Sequence, residues 1–108
     1  MLLTPFSADA ADEATQLFVA KYQDKTGIVP NQFAADAYDV IYAIAQACEK
    51  GGVNASMSAS EINAILVEQF TSMSFDGLTG EGMTWSAEGA VTKPSTAIVI
   101  ENGVYVFK

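Results

Sequence analysis

Three amphipathic stretches follow one another between residues 9 and 75 with no clear strand signal between them, and the extended segments gather at the two ends of the chain. This order constrains the fold more than any other feature. A parallel sheet needs strands alternating with its helices. Amphipathic helices with so little sheet of their own to cover point to part of a larger α/β protein.

The helix signals are local and physical. After Leu2-Leu3-Thr4-Pro5-Phe6, an extended segment that Pro5 edges, Ser7 and Asp9 are placed to accept from the free N–H groups of a first helix turn. Ala14, Leu17, Phe18 and Tyr22 form that helix's apolar stripe, and Gly27 stops it. A second helix follows Pro30, with Asn31 as cap and Ala34, Ala37, Tyr38, Ile41, Ile44, Ala45 and Cys48 recurring at steps of three and four. That spacing predicts one buried face, which Val40 and Ala47 widen, and Gly51-Gly52 ends the helix. A third helix opens at Ser58 or Ser60. Ser58 and Glu61 have capping-box spacing, and Ile62, Ile65, Leu66, Gln69 and Phe70 form the face.

From Asp76 onward the pattern changes. Asp76-Gly77, Thr79-Gly80, Glu81-Gly82 and Glu88-Gly89 read as turns, with Met83-Thr84-Trp85 as a short strand among them. Thr96 to Phe107 reads as two strands joined by Asn102-Gly103, a pair that tolerates positive φ and so favours a tight hairpin. No internal repeat is visible.

Composition removes several functions. The chain has no His, no Arg and one Cys, and its net charge is -8. The commonest general base and metal ligand is missing, and one Cys builds neither a disulfide framework nor a Cys-based zinc site. Phosphate neutralisation needs clustered cations, so nucleic acid is excluded as a partner. Asp76, Glu81 and Glu88 do not match a calcium loop. No metal, no cofactor and no enzymatic activity is expected, since no nucleophile motif exists and no two acids share an evident buried site. No apolar run approaches the ~20 residues of a membrane span.

Three stretches resemble, in order and at family-like spacing, the C-terminal third of type I periplasmic solute-binding proteins, the leucine/isoleucine/valine-binding receptors of amino-acid ABC transporters. They are Thr4-Pro5-Phe6-Ser7 with the helix from Gln16 to Tyr22; Pro30-Asn31-Gln32-Phe33-Ala34-Ala35-Asp36-Ala37-Tyr38-Asp39-Val40; and Phe75-Asp76-Gly77-Leu78-Thr79-Gly80 with Met83-Thr84-Trp85, Glu88-Gly89 and Ile98 to Gly103. The linker after Ser7 departs from the family in lacking prolines.

The resemblance implies an α/β fold forming a partial lobe. Residues 1–8 would be a crossing strand and linker, 9–75 the helical part of the N-terminal lobe, 76–95 a turn-rich return segment, and 96–108 a hairpin returning to the other lobe. It implies a periplasmic or extracellular, membrane-associated receptor whose ligand is an amino acid and whose partners are transporter membrane subunits. On that reading the chain is a fragment or the product of a truncated gene, and it binds little ligand alone.

The resemblance implies two ligand-binding positions. Phe33 opens the second helix, where the family places an aromatic at the cleft wall and where a helix N-terminus suits a carboxylate. Asp36, one turn on, would meet a ligand ammonium or line the lobe interface. Without the resemblance, Phe33 reads as a core or capping aromatic, Asp36 and Asp39 as solvated acids and Tyr38 as core. Gly77 and Gly80 read as turn formers, Trp85 as a packing anchor at the lobe junction, and Cys48 as a small hydrophobe. The alternative to a receptor segment is a free-standing α/β interaction domain that forms homo-oligomers, possibly by exchanging its terminal hairpin.

Overall fold

The computed structural model describes residues 1–108. Strand β1 (Leu2–Thr4) leads to helices α1 (Glu13–Thr26), α2 (Gln32–Lys50) and α3 (Ala59–Phe70). A small antiparallel pair follows, β2 (Phe75–Gly77) and β3 (Gly80–Met83), and then the hairpin β4 (Thr96–Glu101) and β5 (Val104–Phe107). β1 pairs antiparallel with β4, so the larger sheet has the order β1-β4-β5. The expected mixed α/β partial lobe is present, with its helices consecutive and its strands at the ends.

The caps of α2 and α3 lie where the sequence places them. Asn31 accepts from the Ala34 amide at 3.1 Å. Ser58 and Glu61 close a full capping box, the Glu61 carboxylate accepting from the Ser58 amide at 2.8 Å. Gly27 ends α1 at φ 75°, a left-handed conformation that a Cβ would strain. Asn102 and Gly103, at φ 53° and 79°, form the β4–β5 turn.

The start of α1 differs. Its cap is Asp12, which accepts from the Thr15 amide at 2.8 Å, and not Ser7 or Asp9. Residues 7–10 form a turn of their own, closed by the Ala10 amide on the Ser7 carbonyl. Gln16 ties that turn down by donating to the Ala8 and Ala10 carbonyls. The inner face of α1 is Thr15, Phe18 and Val19, with Tyr22 half-buried, while Ala14 and Leu17 face outward.

β2 replaces an expected turn, because Asp76 and Gly77 are strand residues and the bend falls at Leu78-Thr79. The third strand lies at Gly80–Met83, and Trp85 makes only an isolated bridge with Val91. Glycine-rich strands carry no β-branched signature, and their positions here are set by close backbone approach.

Helix α2 organises two small cores. Ala35 packs with Phe6, Phe18 and Val19 at one end. Ala43 and Ala47 pack with Met73, Phe75 and Met83 at the other, where Phe70 and Trp85 add an edge-to-face pair 4.9 Å apart. The inward face of α2 is therefore Ala35, Asp39, Ala43 and Ala47. The stripe of larger apolar residues, expected to be buried, points the opposite way. Ile41 is 66% exposed, Tyr38 and Ile44 are also exposed, and Cys48 is only partly covered. Small residues face inward because α3 and the 75–83 hairpin come close to the α2 backbone there.

Candidate ligand-binding site

The N-terminal turn of α2 meets every segment that enters or leaves the helical body. Thr4, buried at the end of β1, donates through its hydroxyl to Gln32 Oε1 at 2.7 Å. Lys93, just before β4, pairs with Asp36 at 2.5 Å, both side chains being partly open to water. Such a half-exposed pair orients more than it stabilises, at about 0–1 kcal/mol.

The chain between them is fixed by Asp39. Its carboxylate is 5% exposed and accepts from the Leu78 amide, the Thr79 amide and the Thr79 hydroxyl at 2.9, 2.9 and 2.7 Å. Asp39 is thus a buried clamp rather than a solvated acid. A Cβ on Gly77 would lie 2.6 Å from the Asp39 carboxyl carbon, and one on Gly80 would lie 2.9 Å from Pro94 Cδ. Neither glycine has positive φ. Both are needed for close approach, not for the turn geometry expected of them.

Phe33 stands clear of both cores. It is 70% exposed and faces a cavity of about 830 Å³ between β1, the loop before α2 and the β4–β5 hairpin. The cavity is mostly apolar, with Leu3, Val29, Ile98 and Tyr105 among its walls, and Thr4, Asn31 and Gln32 supply polar groups. Its size falls within the range of small-molecule sites. Asp36 does not line it, being held by Lys93. The structure therefore separates the two candidate residues: Phe33 fronts the cavity, and Asp36 sits beside it in an ion pair.

The remaining candidates resolve as structural groups. Tyr38 is a half-open member of the Phe18–Tyr38–Tyr42 ring series and not a core residue. The hydrogen bond that the Tyr38 hydroxyl donates to Tyr42, then burial, raise its pKa above the usual phenol value. Trp85 packs on Phe70 as an anchor. Asp76 accepts from the Gly82 amide at 2.7 Å and is exposed. Asp9 draws its low pKa from the Ser7 hydroxyl and then from the Phe107 amide, which donates to it at 2.9 Å. No group of three His, Cys, Asp or Glu side chains is arranged to hold a metal ion. No helix is long and apolar enough to cross a membrane. The sequence did not reveal the Asp39 clamp, because its partners lie 39 and 40 residues away.

A helix N-terminus that presents an aromatic to an open, mostly apolar cavity is suited to holding a small molecule. The chain belongs to the periplasmic binding protein family, whose pattern matches residues 1–103. The family is one of binding proteins, not of enzymes. The fold is similar to that of a protein assigned as a branched-chain amino acid ABC transporter from Rhodospirillum rubrum, with TM-score 0.70, 24% identity, 99% of this chain and 30% of that one covered. It is also similar to the leucine binding protein LivK from Thermotoga maritima MSB8, with TM-score 0.71, 22% identity, 98% of this chain and 29% of that one covered. The chain thus spans about 30% of the length of these relatives. No curated protein matches it.

Proposed function

We propose that this chain forms one wall of the amino-acid cleft in the solute-binding component of an ABC transporter, acting in the periplasm or outside the cell. Residues 1–8 and the stretch leading to 96–108 are its crossing segments, and residues 9–75 belong to the N-terminal lobe. Lobe closure about those segments is a hinge motion that transporter membrane subunits read. The observation that carries this reading is Phe33, held out of both cores at the mouth of the cavity. There its ring can cover an aliphatic ligand side chain while the free amides of the first α2 turn favour the ligand carboxylate. Asp36, outside that cavity and paired with Lys93, would line the lobe interface.

Grafting the chain in place of the matching 29% of the Thermotoga leucine binding protein tests this. Calorimetry with leucine is expected to show binding that Phe33→Ala weakens by about tenfold or more, the loss of one buried aromatic contact. Unchanged affinity in the Phe33→Ala graft removes Phe33 from the site. The isolated chain, with one cleft wall, is expected to bind no amino acid at micromolar concentration, and micromolar binding to it would overturn the one-wall reading.

A second reading concerns the chain by itself, as a self-associating interaction domain. It exposes 7137 Å² of surface, whereas a compact chain of its mass exposes roughly 5,750 Å². The surplus of about 1,400 Å² exceeds the ~800 Å² that each partner commits to a standard interface. Light scattering at low micromolar concentration tests this reading. A clean monomer counts against it.

A further inference from the structure

We propose that Lys93 and Gly80 are positioning residues for the ligand site. Neither lines the cavity, and together they fix how close the β4–β5 wall stands to Phe33. This role rests on the reading of the chain as one cleft wall and names residues that set the width of that cleft.

A closed ring of contacts, each made within the chain, supports it. Gln32, Asp36 and Asp39 follow one another along α2 at steps of four and three, so they form one line on the helix. Asp39 accepts from the Leu78 and Thr79 amides, both at 2.9 Å, and so seats the 75–83 hairpin against α2. Gly80 comes next, and its bare backbone lets Pro94 close on it; a Cβ there would lie 2.9 Å from Pro94 Cδ. Lys93 precedes Pro94, and its ammonium turns back to pair with Asp36, one turn from Asp39. The ring thus returns to the helix it left.

The sheet hangs from this ring. Thr96, the first residue of β4, pairs with Thr4 of β1, and Thr4 is tied in turn to Gln32 at 2.7 Å. Both strands are therefore fastened to the first turns of α2, on either side of Phe33. Ile98, Val104 and Tyr105 of the facing wall ride on β4 and β5, while Phe33 rides on the helix. Pro94 has a fixed φ and little slack. A displacement where it meets Gly80 is passed along the paired strand to that wall, because packed contacts yield by moving as a body.

The test has two readouts. In the whole chain, spin labels on Val40→Cys and Ile100→Cys, both exposed positions, report the distance from α2 to β4 by double electron–electron resonance, with Cys48→Ser removing the native thiol. Lys93→Glu sets two carboxylates face to face, and Gly80→Ala drives a methyl group against the Pro94 ring. Each is expected to shift the mean label distance while the helical circular dichroism spectrum stays unchanged. Exchanging the charges, Asp36→Lys with Lys93→Glu, should restore the distance, which a contribution to stability alone would not do.

In the receptor graft, calorimetry with leucine should show Lys93→Glu weakening binding by up to about fivefold, the ceiling of a half-exposed ion pair. Gly80→Ala should weaken it about tenfold, since a hard contact with a rigid ring is overpacked. The charge exchange should again restore the unaltered value. An unaltered graft that binds no leucine overturns the cleft-wall reading and this role with it. A graft that binds leucine equally with and without these substitutions overturns the positioning role alone. Label distances unmoved by both Lys93→Glu and Gly80→Ala overturn it in the chain itself. Charge exchange that fails to restore distance and affinity overturns the part given to Lys93.

Discussion

One carboxylate joins two segments forty residues apart. Asp39 holds the Leu78 and Thr79 amides and the Thr79 hydroxyl out of contact with water. Removing it leaves buried donors unpaired, which costs the desolvation of each and not merely the net hydrogen bond. Asp39→Ala is expected to lower stability by about 3 kcal/mol, read as a lower denaturant midpoint at constant slope. A loss below a tenth of that would show that water replaces the carboxylate. Gly77→Ala attacks the same clamp from the other side, driving a methyl group to 2.6 Å from the Asp39 carboxyl carbon. It should cost about 2 kcal/mol, as overpacking does. Little of this was legible in the sequence. Asp39 reads as a solvated acid off the stripe of larger apolar residues, and its partners announce themselves only as Leu78-Thr79 between two glycines. The place of Phe33 in the first turn of α2 was legible from Asn31, because a helix start is a local event.

At the scale of elements, the same distinction separates what the sequence revealed from what it hid. Caps and tight turns depend on side chains within a few residues of the backbone they serve. Asn31, the Ser58–Glu61 box and Asn102-Gly103 were therefore all readable. Ser58→Ala removes one half of a capping box that also holds the Glu61 carboxyl below its usual pKa through the Ser58 amide and hydroxyl. It is expected to lower stability by about 1 kcal/mol, measured by thermal unfolding, and an unchanged midpoint would mean α3 is held by packing alone. Which face of α2 turns inward was not readable. Period alone marks the face with the larger side chains, but alanines fit where two elements crowd the helix, so the buried stripe is the smaller one. β2 was hidden for a related reason. Asp76-Gly77 is chemically a turn, and it becomes a strand only because Asp39 draws the backbone against α2.

The whole molecule is two small cores strung along α2, 52 Å in its longest dimension, with a three-stranded sheet at one end. That sheet is held to the helical body by few polar ties. Thr4 reaches Gln32, and Asp9 receives the Phe107 amide at the end of β5. The core side of the molecule is held by Asp39. Stability should therefore be uneven, with the sheet opening at lower free energy than the α2–α3 unit. Native-state hydrogen exchange should give larger protection factors at Leu78 and Thr79 than at Val104 to Phe107. The Asp9 tie adds a pH dependence with a definite sign. Hydrogen bonds from the Ser7 hydroxyl and the Phe107 amide place the folded Asp9 pKa below its ordinary value. A depressed carboxylate stabilises the folded form fully above the unfolded pKa and loses that contribution as pH falls through the folded one. Protection at Phe107, corrected for intrinsic exchange, should hold from neutral pH down to about pH 4 and fall below it. Asp9→Ala should lower Phe107 protection at neutral pH and abolish that acid step, leaving the Leu78 and Thr79 amides unchanged near neutrality. If Phe107 keeps its protection in Asp9→Ala, β5 is anchored by sheet pairing alone, and the end of the chain is fastened more firmly than these two ties provide.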